Sequence, residues 1–191
     1  MNHHTDLKQL FLQYAQHTDK ETCHSYGDLY EQWIRKIPSV DNVLEIGCNL
    51  FGGGSLLAFS DRFPASFIVG VDLALSEIIP DVKERENIRL FQGDAYLEET
   101  VQRFCQDNPK TFDLIIDDCL HEPDDQYRAF LLWNRLLSPG GLYVIEDVLH
   151  LDSLSRKLAN HTETWEIMLG DARRDGRHCY HDSVLIGMRR F

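Results

Sequence analysis

Residues 112–118 are Phe-Asp-Leu-Ile-Ile-Asp-Asp, and residues 141–147 are Gly-Leu-Tyr-Val-Ile-Glu-Asp. Each stretch is an apolar run of β-prone residues that ends on two adjacent carboxylates. A segment of helical length and the turn Ser-Pro-Gly-Gly at 138–141 separate them. Two parallel strands joined by a crossover helix place both acidic ends at the same edge of a sheet. We therefore expect three or four carboxylates to meet in one cleft, where their repulsion is costly unless a cation lies among them.

The rest of the chain alternates between helical and strand-like segments. Two N-terminal helices are predicted from apolar residues at helical spacing, one from Leu7, Leu10, Phe11 and Tyr14, the other from Tyr26, Leu29, Tyr30, Trp33 and Ile37. Strands are predicted at 42–47, 66–72, 88–91, 112–118 and 142–147, with helices at 55–63, 96–106 and 124–137. Two last β-prone runs, at 164–169 and 183–188, fit an antiparallel pair at the sheet edge. The pattern predicts an α/β fold with a doubly wound, mostly parallel seven-stranded sheet that binds ligands at the carboxyl ends of its strands.

The composition is that of an ordinary globular protein, with 43% hydrophobic and 26% charged residues in 191. We expect one domain, with an N-terminal helical segment over 1–40 and an α/β core over 41–191. The formal charge of −12 argues against general nucleic-acid binding and against adhesion to anionic membranes. We find no apolar run of membrane-spanning length, no signal peptide, and five scattered cysteines that indicate reduced thiols. These features predict a cytoplasmic protein.

A glycine-rich loop follows the first predicted strand. Residues 45–55 are Glu-Ile-Gly-Cys-Asn-Leu-Phe-Gly-Gly-Gly-Ser, and glycines there let the backbone turn sharply and approach a ligand closely. Asp72 ends the next strand, 25 residues after Gly47, where an acidic side chain can bind ribose hydroxyls. Asp94 ends the third strand beside the same cleft. This arrangement indicates a nucleoside-binding site.

These motifs resemble those of class I S-adenosylmethionine-dependent methyltransferases. Val-Leu-Glu-Ile-Gly at 43–47 is similar to the first motif of that superfamily, Val-Gly-Val-Asp at 69–72 to its ribose-binding strand end, and Gly-Asp-Ala at 93–95 to its adenine-side motif. The resemblance implies S-adenosylmethionine as cofactor. The residues that it places at the cofactor are Glu45, Gly47, Asn49, Gly53, Ser55, Asp72, Leu73, Asp94, Ala95 and Asp117.

A narrower resemblance is to the macrocin and mycinamicin sugar O-methyltransferases and their cephalosporin-hydroxylase relatives. Four stretches carry it: Thr-Asp-Lys at 18–20 with His24, Tyr26 and Tyr30; Gly-Gly-Gly-Ser-Leu at 52–56; Ile-Asp-Asp-x-x-His at 116–121; and residues 139–147. That group typically binds magnesium. By comparison with catechol O-methyltransferases, the resemblance implies Asp118, Glu146 and Asp147 as ligands of Mg²⁺, and His121 in the position of the catalytic base. The chain departs from the sugar-enzyme pattern at Cys119 and Leu120, where glycine and serine are usual.

The resulting hypothesis is a magnesium-dependent O-methyltransferase that acts on a small hydroxylated metabolite, such as a sugar, a natural product or a hydroxy acid. Asp118 would help bind the acceptor hydroxyl through the metal, and His121 would accept its proton. His24 and His150 are alternative bases. Residues that could face the substrate are His24, Tyr26, Tyr30 and His150.

Other interpretations remain open. The cofactor fold could support hydroxylase-like chemistry or another transfer reaction, or the chain could be a non-catalytic S-adenosylmethionine-binding subunit of a biosynthetic complex. The paired carboxylates could instead cap the segments that follow them, and the N-terminal motif could simply pack onto the sheet. Aromatic side chains on the N-terminal helices could form a homodimer interface.

Overall fold

Seven strands and the helices between them build the part of the protein that the computed structural model describes, which is residues 5–108, 111–174 and 182–191. The strands are β1 (Asn42–Ile46), β2 (Phe67–Asp72), β3 (Ile88–Gln92), β4 (Phe112–Asp117), β5 (Leu137–Ile145), β6 (Trp165–Asp171) and β7 (Val184–Arg190). The α-helices are α1 (Leu7–Gln13), α2 (Gly27–Ile34), α3 (Gly54–Arg62), α4 (Pro80–Lys83), α5 (Glu98–Asp107), α6 (Pro123–Trp133) and α7 (Leu151–Leu158). Short 3-10 turns cover Asn134–Leu136, Ala159–His161 and Ala172–Arg174.

The strands form one sheet in the order β3-β2-β1-β4-β5-β7-β6. β3, β2, β1, β4 and β5 are parallel, whereas β7 runs antiparallel to both β5 and β6. The chain order reverses between β1 and β4, which is where open α/β sheets bind ligands. The predicted doubly wound sheet with an antiparallel C-terminal pair is confirmed.

Strand register brings the predicted motifs to one edge. Ile46 pairs with both Val71 and Asp117, and Asp117 pairs in turn with Ile145. Because β1, β4 and β5 end level with one another, the residues that follow them emerge side by side. The glycine loop and both acidic pairs therefore share the carboxyl edge of the sheet.

Two apolar layers enclose the sheet. Helices α1, α2 and α3 cover one face, and α5, α6 and α7 cover the other. Strand β4 shows the alternation, since Leu114 and Ile116 face the first layer while Ile115 faces the second. Among the described residues, no helix is both long enough and apolar enough to span a bilayer.

The observed structure corrects the prediction at four elements, which are α6, β5, α4 and α7. The helix predicted over 124–137 ends at Trp133, and β5 begins at Leu137 rather than at 142. β5 starts early because Leu137 already pairs with Phe112, before a register shift that contains the Ser-Pro-Gly-Gly turn. Helices α4 and α7 were not predicted.

Candidate active site

A cleft of about 430 Å³ opens at the carboxyl edge of the sheet. Its walls include these predicted site residues: Gly47, Asp72, Leu73, Asp94, Ala95, Asp118, His121 and Asp147. The cleft thus joins the predicted nucleoside-binding motifs to the predicted metal-binding motifs in one continuous space.

Gly47 lets two of these motifs approach each other. Its φ angle is +89°, and its N–H donates a 2.8 Å hydrogen bond to the carbonyl of Val71. A Cβ atom at this position would lie 2.1 Å from the carbonyl oxygen of Asp118, closer than any real contact. Only glycine fits both the backbone conformation and the space.

Asp72 is fixed at the end of β2 by the loops on both sides. Its two carboxylate oxygens accept hydrogen bonds from the N–H of Asn49, at 2.9 Å, and of Ala74, at 3.1 Å. The Asn49 side chain in turn accepts a 3.1 Å hydrogen bond from the N–H of Glu77. A carboxylate has lone pairs beyond these two, so Asp72 can still accept hydrogen bonds from ligand hydroxyls.

Asp94 follows the neighbouring strand β3 and also lines the cleft. Its carboxylate accepts a 2.9 Å hydrogen bond from the N–H of Tyr96, and the Tyr96 hydroxyl accepts one of 2.8 Å from the N–H of Leu120. Tyr96 lines the cleft with the exposed side chains of Leu73 and Leu120. Together they form an apolar surface that could cover a flat ring.

Three predicted cofactor residues, Glu45, Gly53 and Ser55, belong to the glycine-rich segment 45–55. Glu45 is fully buried and accepts a 2.7 Å hydrogen bond from the Ser55 hydroxyl. Burial raises the pKa of Glu45. Gly53 has a φ of +85° and packs against Ile78. These contacts help to shape the loop, and the assignment of the three residues to cofactor contact stays a prediction.

The acidic strand ends converge with a histidine at the other end of the cleft. His121 Nε2 lies 3.7 Å from Asp118 Oδ1 and 3.7 Å from Asp147 Oδ2. One donor atom from each of these three residues lies within 4.8 Å of the others. Asp147 takes up a left-handed backbone conformation with φ of +52°, which aspartate tolerates better than most residues. Two carboxylate oxygens and an imidazole nitrogen are a donor set that could hold a divalent cation.

A buried lysine lies behind this group. The Lys20 ammonium is 2.7 Å from Asp118 Oδ2 and 3.3 Å from Glu45 Oε1, and it donates a short hydrogen bond to Glu146. Burial disfavours its charge, but the carboxylates outweigh that effect and hold the pKa of Lys20 well above its ordinary value. Part of the cationic charge expected among the carboxylates is therefore supplied by the chain itself.

Residues of the N-terminal motif contact the carboxylates from behind. Tyr30 donates a short hydrogen bond to Glu146, whose other oxygen accepts from Lys20. Tyr26 donates to Asp147 at 2.5 Å, and Nδ1 of buried His24 lies 3.5 Å from the same carboxylate. These predicted substrate residues are buried against the acidic cluster.

Glu146 and His150 occupy different surroundings from the Asp118–His121–Asp147 group. Among the described residues, the set of donor atoms within 4.8 Å of one another does not include Glu146, so its metal ligation stays a prediction. His150 is exposed and immediately precedes α7, outside the walls of the cleft.

The pKa values of neighbouring carboxyl groups in the cluster differ sharply. Burial opposes ionisation of Asp118, but Lys20 and His121 prevail and lower its pKa to about 2. Burial and the charge of Asp118 raise the pKa of Asp147 to about 6. Burial would lower the pKa of His121, yet Asp118 and Asp147 raise it overall. The ionised Asp118 therefore contributes to raising the pKa of both of its neighbours in the donor set.

Asp117 is a separate case. It is 1% exposed, and its oxygens lie 3.4 Å from the N–H of Cys119 and 3.4 Å from the Tyr143 hydroxyl. Burial raises its pKa to about 7. The side chain of Asp117 is thus buried in the protein, and its contact with the cofactor stays a prediction.

The sequence suggested a substrate- or cofactor-facing role for the stretch that contains Lys20, but it placed neither Lys20 beside Asp118 and Glu146 nor Tyr96 in the cleft. Lys20 belongs to the Thr-Asp-Lys stretch, whose resemblance to the sugar enzymes was the one available signal. Tyr96 follows Gly-Asp-Ala at 93–95 directly, so its place beside the cleft could have been inferred from the third strand end.

Comparison with known proteins identifies similar chains. A family model described as a methyltransferase domain matches residues 9–148. Mycinamicin VI 2''-O-methyltransferase of Micromonospora griseorubida is 34% identical over 111 residues, which are 56% of this chain and 27% of that protein. An 8-demethyl-8-alpha-L-rhamnosyl tetracenomycin-C 2'-O-methyltransferase of Streptomyces olivaceus is 30% identical over 138 residues, 69% of this chain and 35% of that one. The matched part of the chain thus spans only about a quarter to a third of the length of these curated relatives.

The fold also matches a solved structure. The MycE methyltransferase of the mycinamycin biosynthetic pathway, in complex with Mg, SAH and mycinamycin VI, superposes with a TM-score of 0.74 at 24% identity. The match covers 98% of this chain and 55% of that one. At this identity, the likeness shows a shared fold.

Proposed function

Because the chain belongs to the methyltransferase domain family, we propose that it is an S-adenosylmethionine-dependent O-methyltransferase. It acts, with a divalent cation such as Mg²⁺, on a small hydroxylated metabolite. The observation that carries this proposal is a single cleft with Asp72 and Asp94 at one end and the Asp118–His121–Asp147 group at the other. A nucleoside cofactor and a hydroxyl acceptor could meet between them.

The cofactor half has the features that a nucleoside requires. Gly47 keeps the backbone close to the cleft, and Asp72 offers acceptor oxygens at a strand end. The Tyr96 ring and the neighbouring leucines supply an apolar surface. S-adenosylmethionine is the ligand that this family membership favours.

The cation half fits a divalent ion. Asp118 and Asp147 would hold it, with Glu146 beside them, and His121 would stay free to act as a base; carboxylate oxygens are the ligands that Mg²⁺ prefers. The solved MycE complex contains Mg and SAH together, which supports the same pairing here. Mn²⁺ accepts both carboxylate and imidazole ligands and is a practical probe of the site.

The reaction that this arrangement suits is a direct displacement. When bound, S-adenosylmethionine supplies an electrophilic methyl group, and a divalent cation lowers the pKa of an acceptor hydroxyl. His121 is about one-third exposed and lines the cleft, so its Nε2 can take the hydroxyl proton. Asp118 and Asp147, each 3.7 Å from that nitrogen, stabilise the resulting imidazolium.

Sugars are the first class of acceptor to test. Both curated relatives described above are O-methyltransferases by name, and one of them is named for a rhamnosyl compound. A sugar carries neighbouring hydroxyls that can approach one cation together. Natural products without sugar and hydroxy acids are the next classes.

Calorimetric titration with S-adenosylhomocysteine tests the cofactor assignment. We expect micromolar binding by the wild type and at least tenfold weaker binding by Asp72→Asn, because the amide cannot accept hydrogen bonds with both terminal atoms. Asp81→Asn, at an exposed position on α4, is the matched control. Transfer of labelled methyl from S-adenosylmethionine to a panel of sugar acceptors then tests the reaction. Failure of the wild type to bind the nucleoside would rule out the proposal.

A further inference from the structure

We propose that Lys20 is a positioning residue for the cation site, holding the Asp118 carboxylate by one oxygen so that the other faces His121 and Asp147. The inference rests on the proposed function, because it concerns the cation that the proposed reaction uses. Lys20 is 2% exposed and lies behind the carboxylates, so its role is exerted through Asp118.

The ammonium group meets carboxylates from three neighbouring strands. Glu45 belongs to β1, while Asp118 and Glu146 follow β4 and β5. Lys20 Nζ is 2.7 Å from Asp118 Oδ2, hydrogen-bonds Glu146 Oε2, and lies 3.3 Å from Glu45 Oε1 without hydrogen-bond geometry. Two of the three ammonium donors therefore form hydrogen bonds to carboxylates at fixed strand ends, and the carboxylate of Glu45 lies close to the same ammonium group. The side chain of Lys20 is therefore held in one position, whereas the side chain of a surface lysine is mobile.

Anchoring one oxygen of Asp118 determines where the other oxygen points. The two oxygens of a carboxylate turn together about the Cβ–Cγ bond. With Oδ2 held by Lys20, Oδ1 lies 3.7 Å from His121 Nε2, and Asp118 belongs to the donor set that includes Asp147. Neighbours that orient metal ligands in this way typically contribute about 10- to 100-fold to metal affinity.

The alternative is that Lys20 only balances charge. In that case its removal would leave the site more negative, and a divalent cation would bind more tightly. If Lys20 positions Asp118, its removal would let the carboxylate turn, and the cation would bind more weakly. The two roles predict opposite changes in affinity.

Titration with Mn²⁺, followed by electron paramagnetic resonance and calorimetry, distinguishes them. We expect Lys20→Met to bind Mn²⁺ at least about tenfold more weakly than the wild type. Its affinity for S-adenosylhomocysteine should stay within about twofold, since Lys20 does not line the cleft; a generally damaged fold would lose both ligands. Lys36→Met is the matched control, because Lys36 is a partly exposed lysine paired with Glu166 at 3.1 Å, away from the cleft.

The double variant Lys20→Met with Glu45→Gln covers the case in which the single variant does not fold. It removes one buried negative charge together with the positive one, and Glu45 is not in the donor set. We expect weak Mn²⁺ binding from it as well. Equal or tighter Mn²⁺ binding by the folded variant would overturn the positioning role. A wild type that binds the nucleoside but no Mn²⁺ would instead overturn the cation site and this inference, leaving the cofactor assignment intact.

Discussion

The backbones of Gly47 and Asp118 are in close contact, so the loop after β1 packs directly against the residue that follows β4. A methyl group on residue 47 would lie 2.1 Å from the Asp118 carbonyl oxygen. Asp118 also donates its N–H to the carbonyl of Ile46 at 2.8 Å. The backbone of the predicted cofactor loop thus helps to fix the position of Asp118, a predicted ligand of the cation.

Gly47→Ala should therefore destabilise the fold and weaken both ligand sites. The left-handed backbone alone costs roughly 1–2 kcal/mol for alanine, and the overlap with Asp118 should raise the loss to about 4 kcal/mol or more. The measurement is the free energy of unfolding by urea, with titration of S-adenosylhomocysteine. Gly140→Ala is the control, since Gly140 has a φ of +78° but its Cβ would meet no atom closer than 3.6 Å. Equal losses from the two substitutions would contradict the close contact.

His121→Gln should slow methyl transfer by about 10²- to 10⁴-fold, the usual contribution of a general base. The affinity for S-adenosylhomocysteine should change little, because the glutamine keeps a polar side chain at the same wall of the cleft. The rate constant under saturating cofactor is the quantity to measure. His150→Gln tests the alternative base. Its exposed position outside the cleft predicts an unchanged rate, and a large loss there with none at His121 would reverse the assignment.

A divalent cation that binds the folded protein should stabilise it, and the gain in the free energy of unfolding should increase with the cation concentration. At about 100 times the dissociation constant, the gain is about 2.7 kcal/mol, visible as a higher melting temperature in Mg²⁺ or Mn²⁺ than in chelator. Asp147→Asn should abolish most of this gain, since an amide is a much weaker ligand. Asparagine also tolerates the left-handed backbone of residue 147, so the fold should persist. Asp152→Asn, exposed on α7, should retain the full effect of the metal.

Glu31 should make stability depend on acid pH. Arg62 donates to both of its oxygens, at 2.8 and 3.2 Å, and the N–H of Leu7 donates to it at 3.0 Å. Burial would raise the pKa of Glu31, but these donors lower it below the ordinary value of 4.5. The stabilisation is therefore fully present above about pH 4.5 and is lost as the pH falls through the lower folded-state pKa.

Glu31→Gln should accordingly cost about 1–3 kcal/mol at pH 7. The difference from the wild type should shrink as the pH falls below 4.5. Urea unfolding between pH 3 and pH 7 measures it, with Glu86→Gln at an exposed position as control. A difference that stays constant over this range would show that ionisation of Glu31 is not the cause.

The sheet could be predicted because each parallel strand carries a local signal. Buried runs such as Val43–Ile46 and Leu114–Ile116 are continuous and β-prone, and turn residues bound them. Signals for α7 were also present, since Leu151, Leu154 and Leu158 have helical spacing, but the segment is short and follows the acidic strand end. The early start of β5 could not be read, because Ser-Pro-Gly-Gly normally indicates a turn rather than the beginning of a strand.

The strand ends that carry the site could be predicted from the sequence, but the directions of their side chains could not. Topology alone brings Asp118 and Asp147 together, because they follow neighbouring parallel strands. The direction of a side chain is set by partners far away in sequence. Nothing local to Lys20 indicates that it is buried beside Asp118, and nothing local to Glu146 indicates that Lys20 and Tyr30 occupy both of its oxygens.

The contacts behind the acidic cluster have a consequence for the order of folding. Lys20 is separated from Asp118 by 98 residues and from Glu146 by 126, and Tyr26 is separated from Asp147 by 121. During synthesis, the N-terminal segment leaves the ribosome long before its partners exist. Lys20 and Tyr26 cannot make these contacts until β5 has been synthesised. Contacts between residues so far apart in sequence also form more slowly than helices do. The acidic cleft can therefore assemble only after residue 147 has been synthesised, and shorter nascent chains lack the contacts that order its carboxylates.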